Sequence, residues 1–205
     1  MNERATIDSA IAVLKTAIDV LTDVRARIGA TARVVFVSPV TGQVGTANCP
    51  YGGDWFDATG YARLYNSSGT AGYHSGADLN RPNYRDSGAA VFAAAAGRVV
   101  FDGRVPGWQG EVVVIEHRLE DGAFIWTRYA HIVRNLTMVN GQVERGQSLG
   151  VIADYNLDGA KGDHLHFDVA RIDLGARPGD WPGMDRARLL ADYIDPAAWL
   201  LERRI

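Results

Sequence analysis

Cysteine is nearly absent from this chain, Cys49 being the single one among 205 residues. One thiol closes no intramolecular disulfide and builds no thiolate cluster, so any metal must be held by His and Asp. An excess of charge of one sign is lacking as well. A formal net charge of -3 gives no large basic field, and nucleic acid is therefore not expected as a partner. No run approaches the roughly 20 apolar residues of a membrane span, so no integral membrane segment is expected. The opening Met1-Asn-Glu-Arg4 continues as a charged helix rather than as an export leader. Apolar residues, by contrast, make up 47% of the chain against 22% charged, enough for one globular domain with its own core plus an appendage.

The appendage comes first. Ile7, Ile11, Leu14, Ile18, Leu21 and Ile28 follow a 4-3-4-3 spacing interrupted by Arg25, which predicts an amphipathic helix of about six turns over residues 1–30, closed by Gly29. Its apolar stripe either docks on the following domain or forms a short coiled coil, which makes the helix a candidate for self-association or partner binding. From residue 31 the texture changes to short β segments with Gly turns. Val91-Phe-Ala93, Arg98-Val-Val-Phe101, Glu111-Val-Val-Val-Ile115, Ala123-Phe-Ile-Trp-Thr127 and Leu149-Gly-Val-Ile152 are the clearest. Leu119-Glu-Asp-Gly122, Asn140-Gly141 and Arg145-Gly146 read as turns between them. The expected fold is mainly β, an antiparallel sheet or sandwich, with short helices at the end: Asp185 to Tyr193, and a capped helix starting at Asp195-Pro196.

Five histidines are an ordinary number for this length, but their placement is not. His164-Leu-His166 lies in a predicted strand, where residues two apart project from one face. His74-Ser-Gly-Ala-Asp78 reads as a loop entering a strand, because Gly72, Gly76 and Asn66-Ser-Ser-Gly69 argue against helix; within a strand, even spacing again shares a face. Two imidazoles and a carboxylate suit zinc and leave a fourth position for water. The same pairs also suit hydrogen-bonded polar groups of a core, and spacing alone does not decide between the two.

Taken in order, His74-Ser-Gly-Ala-Asp78, Tyr129-Ala-His131 and Gly162-Asp-His-Leu-His-Phe-Asp168 resemble the signature of the lysostaphin-type zinc metallopeptidases, which cut peptides in bacterial peptidoglycan. The punctuation between them is similar too, in Gly97-Arg-Val-Val-Phe-Asp-Gly103, Val113-Val-Ile-Glu-His117, the stretch 139–150 and Ile194-Asp-Pro196. The resemblance covers roughly residues 60 to 200, with a motif core at about 60–173 inside a domain spanning 31–205. It implies an open groove, Zn2+ held by His74, Asp78 and His166, and a catalytic pair, His131 and His164, acting as acid/base or oxyanion stabilisers toward a metal-activated water. No His-Glu-x-x-His helix is present, so imidazoles replace the glutamate base of other zinc proteases. Tyr65 and Tyr73 are the local candidates for oxyanion stabilisation that the resemblance suggests. His117 matches a position that binds no metal and is expected to be structural. Asp163 and Asp168 are either acceptors behind the histidines or solvated carboxylates. Trp108 either lines a peptide groove or is packed.

The sequence departs from that family's pattern in the tract Asp154 to Gly162, at Asp163 and in the long segment from Ile172 to Tyr193. These fall on expected groove loops, so they bear on substrate preference rather than on metal chemistry. The leading expectation is a peptidoglycan endopeptidase; the alternative is a non-catalytic peptidase-like module that binds cell wall or activates a partner hydrolase. A biotinyl or lipoyl carrier is argued against because neither Lys15 nor Lys161 stands in the modified turn of such domains. Secretion or envelope association is expected, with a phage lysin or virion component as the other setting.

Overall fold

The computed structural model describes residues 11, 13–18, 20, 33–67, 70–135, 140–154 and 162–205. Of the helix expected at the amino terminus, residues 11, 13–18 and 20 are helical, and Ile11, Leu14 and Ile18 are exposed. Ile7, Leu21, Arg25, Ile28, Gly29, Ser68, Gly69, Val139 and the tract 155–161 lie outside the described residues.

From residue 56 the chain is built of strands: β1 (Phe56–Asp57), β2 (Leu64–Ser67), β3 (Thr70–Tyr73), β4 (Ala77–Asn80), β5 (Ala90–Phe92), β6 (Gly97–Gly103), β7 (Glu111–Arg118), β8 (Phe124–Arg134), β9 (Gln142–Val143), β10 (Ser148–Ile152), β11 (Leu165–Ala170) and β12 (Tyr193–Ile194). Ten of them form one sheet along the path β1-β4-β11-β8-β7-β6-β9, with β10 pairing β5 and β8, and β12 pairing β11. The pairings are antiparallel. β2 and β3 make a separate two-stranded sheet. That hairpin was not expected, since its polar, glycine-containing residues carry no alternation.

Strand β7 explains why the sheet is covered on both faces. Val113 and Ile115 point into one core with Leu79, Tyr129, Leu165 and Phe167, while Val112 and Val114 point into a second with Ala130, Ala170, Leu174 and Leu189. Alternate residues face opposite sides, so four consecutive apolar residues require two apolar layers. On β11 the same alternation sends Leu165, Phe167 and Val169 to the first core, leaving His166 and Asp168 on the other side. The helices Arg186–Asp192 and Pro196–Glu202 close the chain as expected. Asp185 accepts from the Arg188 N–H, and Asp195 accepts from the N–H groups of Ala197 and Ala198 with Pro196 in the first turn.

His117 is structural, in line with the sequence. Its Nδ1–H donates to the Ala96 carbonyl (2.9 Å) and the Thr127 hydroxyl donates to its Nε2 (2.8 Å). Thr127 in turn lies 3.1 Å from the Tyr129 hydroxyl, which accepts from the Ala94 N–H. Burial pushes the imidazole down to about 4, against the opposing pull of the Ala96 carbonyl. Between the ordinary value and 4 the unfolded chain binds a proton that the folded chain refuses, so this contribution is present above about pH 6.5 and is lost as the pH falls. Urea denaturation should show the wild type losing about 3 kcal/mol more than His117→Gln between pH 7 and pH 4; parallel losses in the two proteins contradict this role.

Candidate metal centre

The central strands carry the site. Asp78 on β4 stands opposite His166 on β11, and His166 stands opposite Ala130 on β8, next to His131. His74 is brought in by the connection between β3 and β4. It does not share a strand face with Asp78, as even spacing had suggested, because the strand begins only at Ala77. The turn relies on Gly76, where a Cβ would sit 2.3 Å from the Phe167 carbonyl oxygen of β11.

Three donor atoms converge in this corner. His74 Nε2 lies 3.1 Å from Asp78 Oδ1 and 3.1 Å from His166 Nδ1, and His166 Nδ1 lies 3.0 Å from Asp78 Oδ1. All three side chains are buried. Their outer partners decide where the protons sit. His74 Nδ1 faces the Gly60 carbonyl (3.2 Å), which only accepts, so Nδ1 carries the hydrogen and Nε2 the lone pair. His166 Nε2 faces the Asp168 carboxylate (2.9 Å) and donates to it, which leaves Nδ1 directed at the other two atoms. The Thr59 hydroxyl donates to Asp78 Oδ2 and leaves Oδ1 for the centre. Two nitrogen lone pairs and a carboxylate oxygen about 3 Å apart repel unless a positive charge stands among them. A small tetrahedral ion with ligands at about 2.0–2.1 Å has edges of about 3.3 Å, close to these separations, so the donor set fits a metal ion.

The field agrees. Burial alone would raise the Asp78 carboxyl, but in the absence of a cation protons shared by His164, His166 and His74 take its place and carry the carboxyl well below the carboxylate range. Burial would lower His166, yet Asp168 and Asp78 push it up to about 9, so that without a cation a second proton on Nδ1 stands where the metal would. Asp168 is itself held well below its ordinary value because Arg128 and His166 outweigh its burial.

His131 and His164 stand beside this group with ring centroids 5.0 Å apart. Each offers Nδ1 to a backbone carbonyl, His131 to Gln109 (2.8 Å) and His164 to Gly162 (2.7 Å), which places the lone pair of the neutral ring on Nε2. His164 Nε2 is 3.4 Å from Asp78 Oδ1. His131 owes its direction to a break in register, since Glu111 pairs with Ile132 and Val112 with Ala130, so His131 is the extra residue of a bulge with φ 64°. Burial, reinforced by the like charges of His164 and His166, brings its pKa down to about 3.

The model of peptidase family M23 matches residues 72–178. This chain belongs to peptidase family M23. Among solved structures, it is similar to the antimicrobial peptidase lysostaphin from Staphylococcus simulans at 18% identity and a TM-score of 0.52, covering 84% of this chain and 55% of that one. The catalytic domain of the same peptidase gives 20% identity and a TM-score of 0.50 over 71% of this chain and 92% of that one. A complex of SpoIIIAH and SpoIIQ gives 20% and 0.51, covering 67% of this chain and 92% of that one. At such identities these likenesses show the fold. No curated protein matches the sequence.

The M23 domain thus brings together all five residues singled out in the sequence, and it adds others. Asp57 Oδ1 accepts from the backbone of Thr59, Gly60 and Asp78, holding the loop that carries Thr59 against β4. Arg128 backs Asp168, and Trp181 lies with its ring 6.1 Å from His74 and 6.4 Å from His166. Of the tyrosine candidates, Tyr65 lies 6.2 Å from the His74 ring, whereas Tyr73 packs against the second core. Asp168, rather than Asp163, accepts from His166. Trp108 stacks on His131 at 5.8 Å and meets His166 edge-on at 5.2 Å. It also lines a cavity of about 560 Å³ together with Gln109, Gly110, Glu111, Ile132 and Asp154.

Gly110 has φ +71°, and a Cβ there would meet the His131 backbone at 3.0 Å. Gly110→Ala should therefore cost about 1–3 kcal/mol in urea denaturation; an unchanged midpoint would mean that the bulge does not depend on this contact.

Proposed function

We propose that this M23 chain is a zinc-dependent endopeptidase that hydrolyses peptide bonds in peptidoglycan stem peptides or cross-bridges. The observation that carries the reading is the convergence of His74 Nε2, His166 Nδ1 and Asp78 Oδ1 on one point, with their other atoms already committed to Gly60, Asp168 and Thr59. These three residues would hold the metal. Nitrogen and oxygen donors in a set of three, without thiolate, leave an exchangeable position and favour zinc. The chemistry that zinc supplies when bound is polarisation of the scissile carbonyl and ionisation of water near neutral pH.

The remaining work belongs to the protein. His131 and His164 present their Nε2 atoms beside the centre and handle the proton between them, taking it from the attacking water, steadying the oxyanion and returning it to the leaving amine. Burial keeps the His131 ring neutral. Trp108 and Tyr65 flank the histidines and exclude water from that side of the reacting groups.

We assign residues 31–205 to the peptidase domain and residues 1–30 to an amino-terminal extension whose exposed Ile11, Leu14 and Ile18 serve self-association or partner binding. No helix among the described residues is long and apolar enough to cross a membrane. The substrate places the working site in the cell envelope or outside the cell, with lysin or virion use as a variant of the same activity.

Purified protein should carry about one zinc per chain, and its incubation with muropeptides should release new amino termini. His164→Ala should keep the metal and lose about 10²–10⁴-fold in cleavage rate, whereas His166→Ala should lose both. Wild-type protein without near-stoichiometric zinc would favour a non-catalytic module, and unchanged cleavage by His164→Ala would remove that histidine from the reaction.

A further inference from the structure

Behind His166 lies a buried charge that none of the proposed chemistry uses. Arg128 and Asp168 stand opposite each other on β8 and β11, and neither has exposed surface. Arg128 Nε donates to Asp168 Oδ2 at 2.6 Å, the same oxygen that accepts from His166 Nε2. Its Nη1 donates to the carbonyls of Pro178 (3.0 Å) and Asp180 (2.9 Å), both in the long segment that follows β11. The guanidinium carbon lies 4.4 Å from the centre of the Trp108 ring, which also meets the rings of His131, His166 and Trp181.

We infer that Arg128 is a positioning residue of the metal centre: one guanidinium holds Asp168 against His166, Trp108 against His131 and His166, and the 178–180 backbone beside the site. The inference rests on the proposed zinc site. Burying a guanidinium and a carboxylate is costly, and apolar residues of like volume would serve stability as well. What they would not supply is a carboxylate fixed at the correct angle behind a ligand. Without Arg128, an ionised Asp168 would be less constrained about its side-chain bonds; the Nε–H of Arg128 restricts that freedom by holding the accepting oxygen from a second direction, while Nη1 anchors the guanidinium on the 178–180 backbone. The flat cation also lies against an indole, which a tetrahedral ammonium does less well. Lysine at this position would keep the charge and reach one of these partners at a time.

The inference separates charge from geometry, and a substitution can do the same. Zinc affinity is measured by competition with a chromophoric chelator, and coordination geometry by the visible spectrum of the cobalt-substituted protein, for the wild type, Arg128→Lys, Asp168→Asn and Val113→Ala. Val113 is a buried residue on the opposite sheet face and controls for general loosening of the core. Arg128→Lys should weaken zinc binding by about 10–100-fold and alter the cobalt spectrum, and Asp168→Asn should do likewise. Val113→Ala should lower thermal stability without either change. Should Arg128→Lys not fold, the near-isosteric Asp168→Asn carries the test. Wild-type affinity and an unaltered spectrum in the variant that folds overturn the inference. A wild type that binds neither zinc nor cobalt overturns the proposed function on which it rests.

Discussion

The site depends on a rule of hydrogen-bond chemistry: a neutral imidazole that donates from one nitrogen presents a lone pair from the other. The Gly60 carbonyl and the Asp168 carboxylate are acceptors only, so His74 donates outward from Nδ1 and His166 from Nε2. Thr59 applies the same logic to Asp78 by occupying Oδ2. The inward atoms are then all electron-rich and about 3 Å apart, an arrangement that a cation relieves and that water, with two protons for three acceptors, relieves less well. The surrounding sheet can be understood as the means of holding these outer partners in place.

Antiparallel pairing does most of that holding. With Asp78 opposite His166, and Asp168 opposite Arg128, ligand and supporting residues occupy successive positions on one face of β4, β11 and β8. A one-residue slip would send both His166 and Asp168 into the apolar core on the other face. The apolar run of β7 opposes such a slip by burying both of its faces. Two departures from regular pairing then serve the site. Gly76 lets the loop carrying His74 run close to β11, and the bulge at His131 turns a side chain that regular alternation would send to the other face.

Much of this was legible in the sequence because it follows short-range rules. The even spacing of His164 and His166, the valine run of β7, the turn at Leu119 to Gly122 and the capped helices at Asp185 and Asp195 are all local patterns. What was not legible depends on distant pairing. Thr59 and Asp57 come before the first motif with no spacing that ties them to it. Trp181 lies in a segment that had looked like a departure from the family, and its approach to His74 is set by tertiary packing. Arg128 offered one clue, a charge at a buried position in the middle of a strand, but its partner became visible only with the β8–β11 register. The β2–β3 hairpin was missed because its residues are too polar and glycine-rich to alternate. Family membership rests on a match over residues 72–178, the stretch that carries all three motifs.

The central claim is that the outer acceptors fix which nitrogen of each histidine faces the metal. Long-range proton–nitrogen correlation spectra of the zinc-loaded, ¹⁵N-labelled protein report this ring by ring. The account predicts His74 protonated at Nδ1 with the metal at Nε2, and His166 protonated at Nε2 with the metal at Nδ1. A proton on Nε2 of His74 or on Nδ1 of His166 would contradict it.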